Sequence, residues 1–104
     1  MITVHVENTV RDFDAWKANF DKFDRFRVDQ GVRSYRVARR TDEPNRFYVD
    51  LTFDDVATAT AFRSALGKIM ATPQAQELLL SHSAPVMYEV ADERDLTATA
   101  ASTS

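Results

Sequence analysis

The hydrophobic period of this chain switches repeatedly, and the order of the switches leaves few folds open. "ITVHVE", Ile2 to Glu7, alternates apolar and polar positions as a half-buried strand does. In "DFDAWKANFDKFDRF", Asp12 to Phe26, rings stand at Phe13, Trp16, Phe20 and Phe23, a rhythm of three, four and three that keeps one helix face apolar. Asp12 suits the N-cap of that helix, and Gly31 in "DQG" suits a left-handed position at its end. "VRSYRVARR", Val32 to Arg40, and "RFYVDLTF", Arg46 to Phe53, return to alternation around the turn residues "TDEPN", which predicts a hairpin. Helical spacing resumes through Val56, Ala59, Phe62, Leu66 and Ile69, capped by Asp54 or Asp55. Pro73 then interrupts, and "PQAQELLLSH" is expected to form a short further helix with Pro73 in its first turn. "PVMYEV", Pro85 to Val90, is expected to be the fourth strand. The residues 97–104, "TATAASTS", are small and polar and are expected to be a disordered tail on a single domain spanning 1–96.

The resulting order, βαββαβ, is an α+β, ferredoxin-like arrangement: a four-stranded antiparallel sheet with its helices on one face. Alternation assigns the faces. Ile2, Val4, Val6, Phe47, Val49, Leu51 and Phe53, together with Tyr35, Val37, Val86, Tyr88 and Val90, form the more apolar set expected to meet the helices. The other side would carry Thr3, His5, Glu7, Ser34, Arg36, Ala38, Tyr48, Asp50, Thr52, Met87 and Glu89. A face of Tyr, Met, Ala and Thr mixed with charges of both signs tolerates burial if the charges pair. A second sheet from an identical chain is the simplest cover, so a homodimer is expected.

Composition excludes several functions. A chain of 104 residues builds one core. Its net charge of −3 gives no reason to expect nucleic acid, and the arginines of "RVARR" are followed at once by Asp42 and Glu43. With no cysteine, thiolate chemistry and Cys-based metal sites are absent. The two histidines, His5 and His82, lack zinc-site spacing, and two glycines cannot make a glycine-rich phosphate loop. No apolar run approaches the roughly 18 to 20 residues of a membrane span, and the expectation is a cytoplasmic protein.

The element order, the "DFDAWK" helix start, the "DEPNRFYVDLTFDD" hairpin return and the "AF" within the second helix resemble the dimeric α/β-barrel superfamily. Within it the chain is most similar to the small antibiotic-biosynthesis monooxygenase-like proteins, some of them labelled cyclases. The resemblance covers about residues 1 to 92. It implies a homodimer with facing sheets, a ligand cavity between each sheet and its own helices, and oxygenase or cyclase chemistry that needs no cofactor. Characterised members resemble one another in an Asn just after strand one, a Trp in the second helix and a His or Arg farther on. Asn8 matches the first position. Phe62 stands where the Trp would be, so an indole donor is missing. Where haem-degrading members place an axial His, this chain reads "KIMAT" and offers Met70 and Ala71, which speaks against haem.

Candidate site residues follow from these faces and, for Asn8, from what the resemblance implies. A cofactor-free monooxygenase or cyclase must deprotonate a flat, oxygenated aromatic and hold the anion in a dry site. His82 is the candidate base. Asn8 with Tyr35 or Tyr88 are candidate oxyanion partners, because a buried phenol needs a partner and a ligand can supply it. Trp16, Phe20, Phe62 and Met70 are candidate ligand walls, against the plainer reading that they are core. His5 and Asp50, neighbours across strands one and three on the polar face, form an alternative constellation, against the plainer reading of charge pairing at the dimer interface. A non-catalytic, dimeric small-molecule-binding protein with the same cavity is the alternative function.

Overall fold

The computed structural model describes residues 1–97; from residue 98 onward the expected tail lies outside the described residues. The elements are β1 (Ile2–Val10), α1 (Phe13–Asp21), α2 (Asp24–Asp29), β2 (Ser34–Arg39), β3 (Arg46–Phe53), α3 (Val56–Met70), α4 (Pro73–Leu78), β4 (Leu79–His82) and β5 (Val86–Glu89). All pairings are antiparallel, in the order β2-β3-β1, with β4 and β5 both on the far edge of β1. This is the ferredoxin-like βαββαβ topology with the helices on one face.

Three local features differ from the sequence reading, each for a physical reason. The predicted first helix is two helices, broken at Lys22 and Phe23, where Phe23 takes φ −98° and ψ 14°. The Arg27 side chain reaches back to donate to the Phe20 carbonyl at 2.8 Å, an acceptor at the end of α1 that also takes the Phe23 N–H at 3.1 Å. Gly31 does occupy the left-handed region, with φ 88°.

The expected fourth strand is split. β5 pairs with Ile2 to His5 and β4 with Asn8 to Val10, so two short strands share one edge of β1. Pro85 has no N–H to give to a ladder. Ser83 bridges the gap instead: its N–H donates to the Glu7 carbonyl at 2.8 Å and its hydroxyl accepts from the Glu7 N–H at 2.9 Å. The segment expected to be helical through His82 is therefore helix only to Leu78 and strand beyond.

The phase of β5 is inverted. Met87 lies opposite Val4 and packs against the core, whereas Tyr88 lies opposite Thr3 and places its ring by His5 on the outer face. "VMYEV" is apolar enough in both phases to fit either way, and a one-residue shift exchanges the faces. A thioether fills the apolar layer without a hydrogen-bond partner; a phenol there would require one.

Between sheet and helices lies a core of Ile2, Val4, Val6, Val10, Phe47, Val49, Leu51, Phe53, Ala59 and Phe62. Phe13, Trp16, Phe20, Phe26, Leu66 and Leu79 pack on it half-buried. No residue of α1 is fully buried, so the aromatic stripe rests on the core's margin.

Candidate functional site

Side-chain caps fix the helices that wall the space above the sheet. Asp12 accepts from the N–H groups of Asp14 and Ala15 and starts α1. Asn45, from the β2–β3 hairpin, accepts from Phe13 N–H and donates to the Arg11 carbonyl, each at 3.2 Å, tying that helix start to the sheet. Asp55 accepts from Thr58 N–H and starts α3, and Thr72 caps α4 with Pro73 behind it. Asp54 takes no part in capping and forms a two-pronged pair with Arg33.

Between these helices and the sheet is a cavity of about 90 Å³. Val6, Val49 and Leu51 floor it, Trp16, Phe20, Phe23, Phe26 and Phe62 wall it, and Leu66, Ile69, Met70, Leu78 and Leu79 close the far side. Trp16 stacks on Phe20 with ring centroids 4.9 Å apart and lies 4.3 Å from the Phe47 ring. The cavity is smaller than the roughly 150 Å³ apolar cavities that accept benzene, so a ligand of one or more rings enters only with movement of the half-exposed wall.

Two buried polar side chains line this apolar space. Asn8 is 7% exposed, and its Oδ1 has no hydrogen-bond partner. Asn8 sits inside β1, opposite Phe47 and His82, and not after the strand as expected. Arg27 is 5% exposed, and its Nε has no partner either. The sequence reading missed Arg27, although it continues the stripe: Phe13, Trp16, Phe20, Phe23 and Arg27 follow a three, four, three, four spacing. A buried, unsatisfied polar atom in an apolar wall calls for a partner, which an ordered water or a bound ligand would supply.

Asn8, Trp16, Phe20, Phe62 and Met70 thus meet around one cavity. The remaining candidates lie elsewhere. Tyr35 is on the helix side, 41% exposed, with its ring edge-on to Phe20 at 5.1 Å, but it does not line the cavity. Tyr88 is on the opposite face, a correction that follows from the inverted phase of β5. His82 ends β4 rather than lying in a loop; it is exposed, with its Nδ1 3.4 Å from the Ser83 carbonyl. It borders two shallow grooves, one of about 310 Å³ beside Arg63, Met70 and Gln76, the other of about 430 Å³ beside Glu7, Arg40, Arg46 and Tyr48.

His5 and Asp50 do meet on the outer face. His5 Nδ1 is 2.5 Å from Asp50 Oδ1, Nε2 is 3.6 Å from Glu7 Oε2, and the Tyr48 and Tyr88 rings flank the imidazole at 5.0 and 6.0 Å. Among the described residues no group of three or more His, Asp or Glu is arranged to hold a metal, and no helix is long and apolar enough to cross a membrane.

Against known proteins, no family model and no curated protein matches the chain. Solved structures do. SnoaB, a cofactor-independent oxygenase from Streptomyces nogalater, superposes with a TM-score of 0.66 at 18% identity, over 91% of this chain and 95% of SnoaB. A dimeric ferredoxin-like protein from an uncultured marine organism gives 0.58 at 12% identity, over 89% and 96%. An antibiotic biosynthesis monooxygenase gives 0.51 at 12% identity, over 86% and 97%. At these identities the likeness is one of fold.

Proposed function

We propose that the chain is a cofactor-independent monooxygenase or cyclase acting on a flat, oxygenated aromatic small molecule held between the sheet and the helices. The observation that carries this reading is the ring-walled cavity with two buried polar groups, Asn8 and Arg27, that each keep an unpartnered atom. SnoaB, of like fold, is a cofactor-independent oxygenase. In such chemistry a base removes a proton from an activated CH₂ beside a phenol or carbonyl. The carbanion adds O₂, the peroxide anion is protonated, and loss of water leaves C=O, so CH₂ and O₂ become C=O and H₂O. The protein's part is to orient the ring, exclude bulk water and stabilise the oxyanion. Asn8 serves the last role, and His82, cross-strand neighbour of Asn8, is the nearest candidate base to that position.

The rest of the site works as a pair of chains in this reading. The outer sheet face, with its His5–Asp50 pairing and flanking tyrosines, packs on the same face of a second copy. A structure of like fold is described as dimeric.

A second reading, a non-catalytic dimeric binding protein, is favoured by one observation. Among the described residues the cavity lining holds no side chain that takes up a proton at neutral pH, Arg27 being the ionisable group there. Oxygen uptake separates the two readings. Native mass spectrometry of freshly purified protein identifies what it carries, and an oxygen electrode then follows 1,8-dihydroxyanthrone with wild type, Asn8→Ala and His82→Ala. An oxygenase accelerates uptake above the spontaneous rate, and both variants slow it. Tight binding with no acceleration establishes the binding protein.

A further inference from the structure

Arg27 stands among charges, in "DRFRVD", that read as a solvated helix surface, yet it is more deeply buried than any residue of α1. Its guanidinium lies 3.7 Å over the Phe20 ring and 5.2 Å from the Tyr35 ring. Nη2 is committed twice, to the Phe20 carbonyl at 2.8 Å and to Asp24 Oδ1 at 3.3 Å. The Asp24 side chain is 66% exposed, so water screens the carboxylate paired with this cation. Nε–H is buried with no acceptor. Arginine cannot shed its proton to relieve the burial, and an unmatched donor on a buried cation is held at a cost that an acceptor from a ligand would remove. The Asn8 amide can turn to offer either a donor or an acceptor, whereas Arg27 offers only a donor and a positive charge.

We propose that Arg27 is the specificity-determining residue of the cavity and selects a ring bearing a single ionised oxygen, a phenolate or enolate. Nε–H is the guanidinium donor that is buried without an acceptor, and the Nη2 beside it is already committed, so a single oxygen fits this position better than the two-pronged Nε and Nη2 grip by which arginine takes a carboxylate. The inference rests on the reading of the helix–sheet cavity as the ligand site. It deepens that reading by naming the ionisation state that is bound.

The test uses 4-nitrophenol at a pH above its pKa and its neutral methyl ether, 4-nitroanisole, titrated into the whole chain. The Trp16 indole N–H and Arg27 Nε–H resonances are followed by nitrogen–proton NMR. The phenolate is expected to bind about tenfold tighter than the ether, the strength of one charge-assisted hydrogen bond, and to shift both resonances. In Arg27→Met that preference falls to within about twofold. Asp24→Asn, a change at an exposed side chain, removes the competing carboxylate and tightens phenolate binding about threefold, an arm that stands even if Arg27→Met does not fold. Equal binding of the two probes by wild type, a preference that survives in folded Arg27→Met, or phenolate binding unchanged in Asp24→Asn would each overturn the proposal and leave Arg27 as a cap on α1. Should neither probe move the Trp16 signal, the cavity reading itself falls, and this inference with it.

Discussion

Across the β1–β3 ladder, His5 Nδ1 lies 2.5 Å from Asp50 Oδ1, with the two side chains only 24% and 28% exposed. The contact joins neighbouring strands on the sheet face away from the helices. A double-mutant cycle of His5→Gln and Asp50→Asn, measured by denaturant unfolding, is expected to give a coupling of about 1 kcal/mol, the upper range for a partly exposed pair. A coupling indistinguishable from zero would make the contact incidental.

If that face meets a second copy, the pair and its neighbours become buried in the dimer. Light scattering at micromolar concentration is expected to give twice the chain mass of 11.8 kDa. Tyr88→Glu adds a charge beside His5 on that face and is expected to return the protein to monomer with its far-ultraviolet circular dichroism unchanged. A wild-type monomer would refute the interface.

The rings are not energetically alike. Phe53 is fully buried and touches Phe62 at 5.3 Å between centroids, so Phe53→Ala removes packing and leaves a cavity at a cost of about 3–5 kcal/mol. Trp16 and Phe20 are half-buried and border space already open, so truncating either is expected to cost about 1–2 kcal/mol. Chemical denaturation of the three variants ranks them. A loss at Trp16 equal to that at Phe53 would make the stripe plain core.

Gly31 tests the turn into β2. Its φ of 88° disfavours any side chain, and a Cβ there would stand 2.5 Å from Thr58 Cγ2 on α3. Gly31→Ala is expected to lose about 1–3 kcal/mol. Adding Thr58→Ser removes the methyl group and recovers only part of that loss, because the backbone strain remains. Full recovery in thermal unfolding would assign the whole effect to the clash.

Acid stability has an identifiable contributor. Hydrogen bonds from Arg33 hold the Asp54 carboxyl below the usual carboxylate range, and Arg40 does the same for Asp42. A carboxylate depressed in the folded state adds stability that is fully present above its unfolded pKa of about 3.9 and is lost as pH falls through the folded value. The melting temperature of wild type is therefore expected to fall on acidification from about pH 5 downward, and that of Asp54→Asn to fall less steeply, the two curves converging at low pH. Parallel curves would show that the Arg33 pair contributes nothing.

Local chemistry by itself determined the main elements and their order, but not the break in the first helix or the split of the fourth strand. Period, caps and turn residues act within a few positions, so Asp12, Asp55, Thr72 with Pro73, and Gly31 take the places that their side chains or backbones demand. The same locality made Trp16, Phe20 and Phe62 legible as residues facing one layer, whereas Asn8 was singled out by the family resemblance. Tertiary structure decided what local pattern leaves degenerate. "VMYEV" satisfies either phase, and pairing with β1 sent Met87 inward and Tyr88 to His5, removing one expected oxyanion partner from the cavity. Arg27 resembles any surface arginine until Phe20, Tyr35 and the sheet close over it, because burial of a charge depends on what other segments place around it. Whether a ring is core or wall is settled in the same way: Phe53 and Trp16 are both aromatic residues on the apolar face of their elements, and only the gap between helix and sheet, a property of the assembled layers, tells them apart.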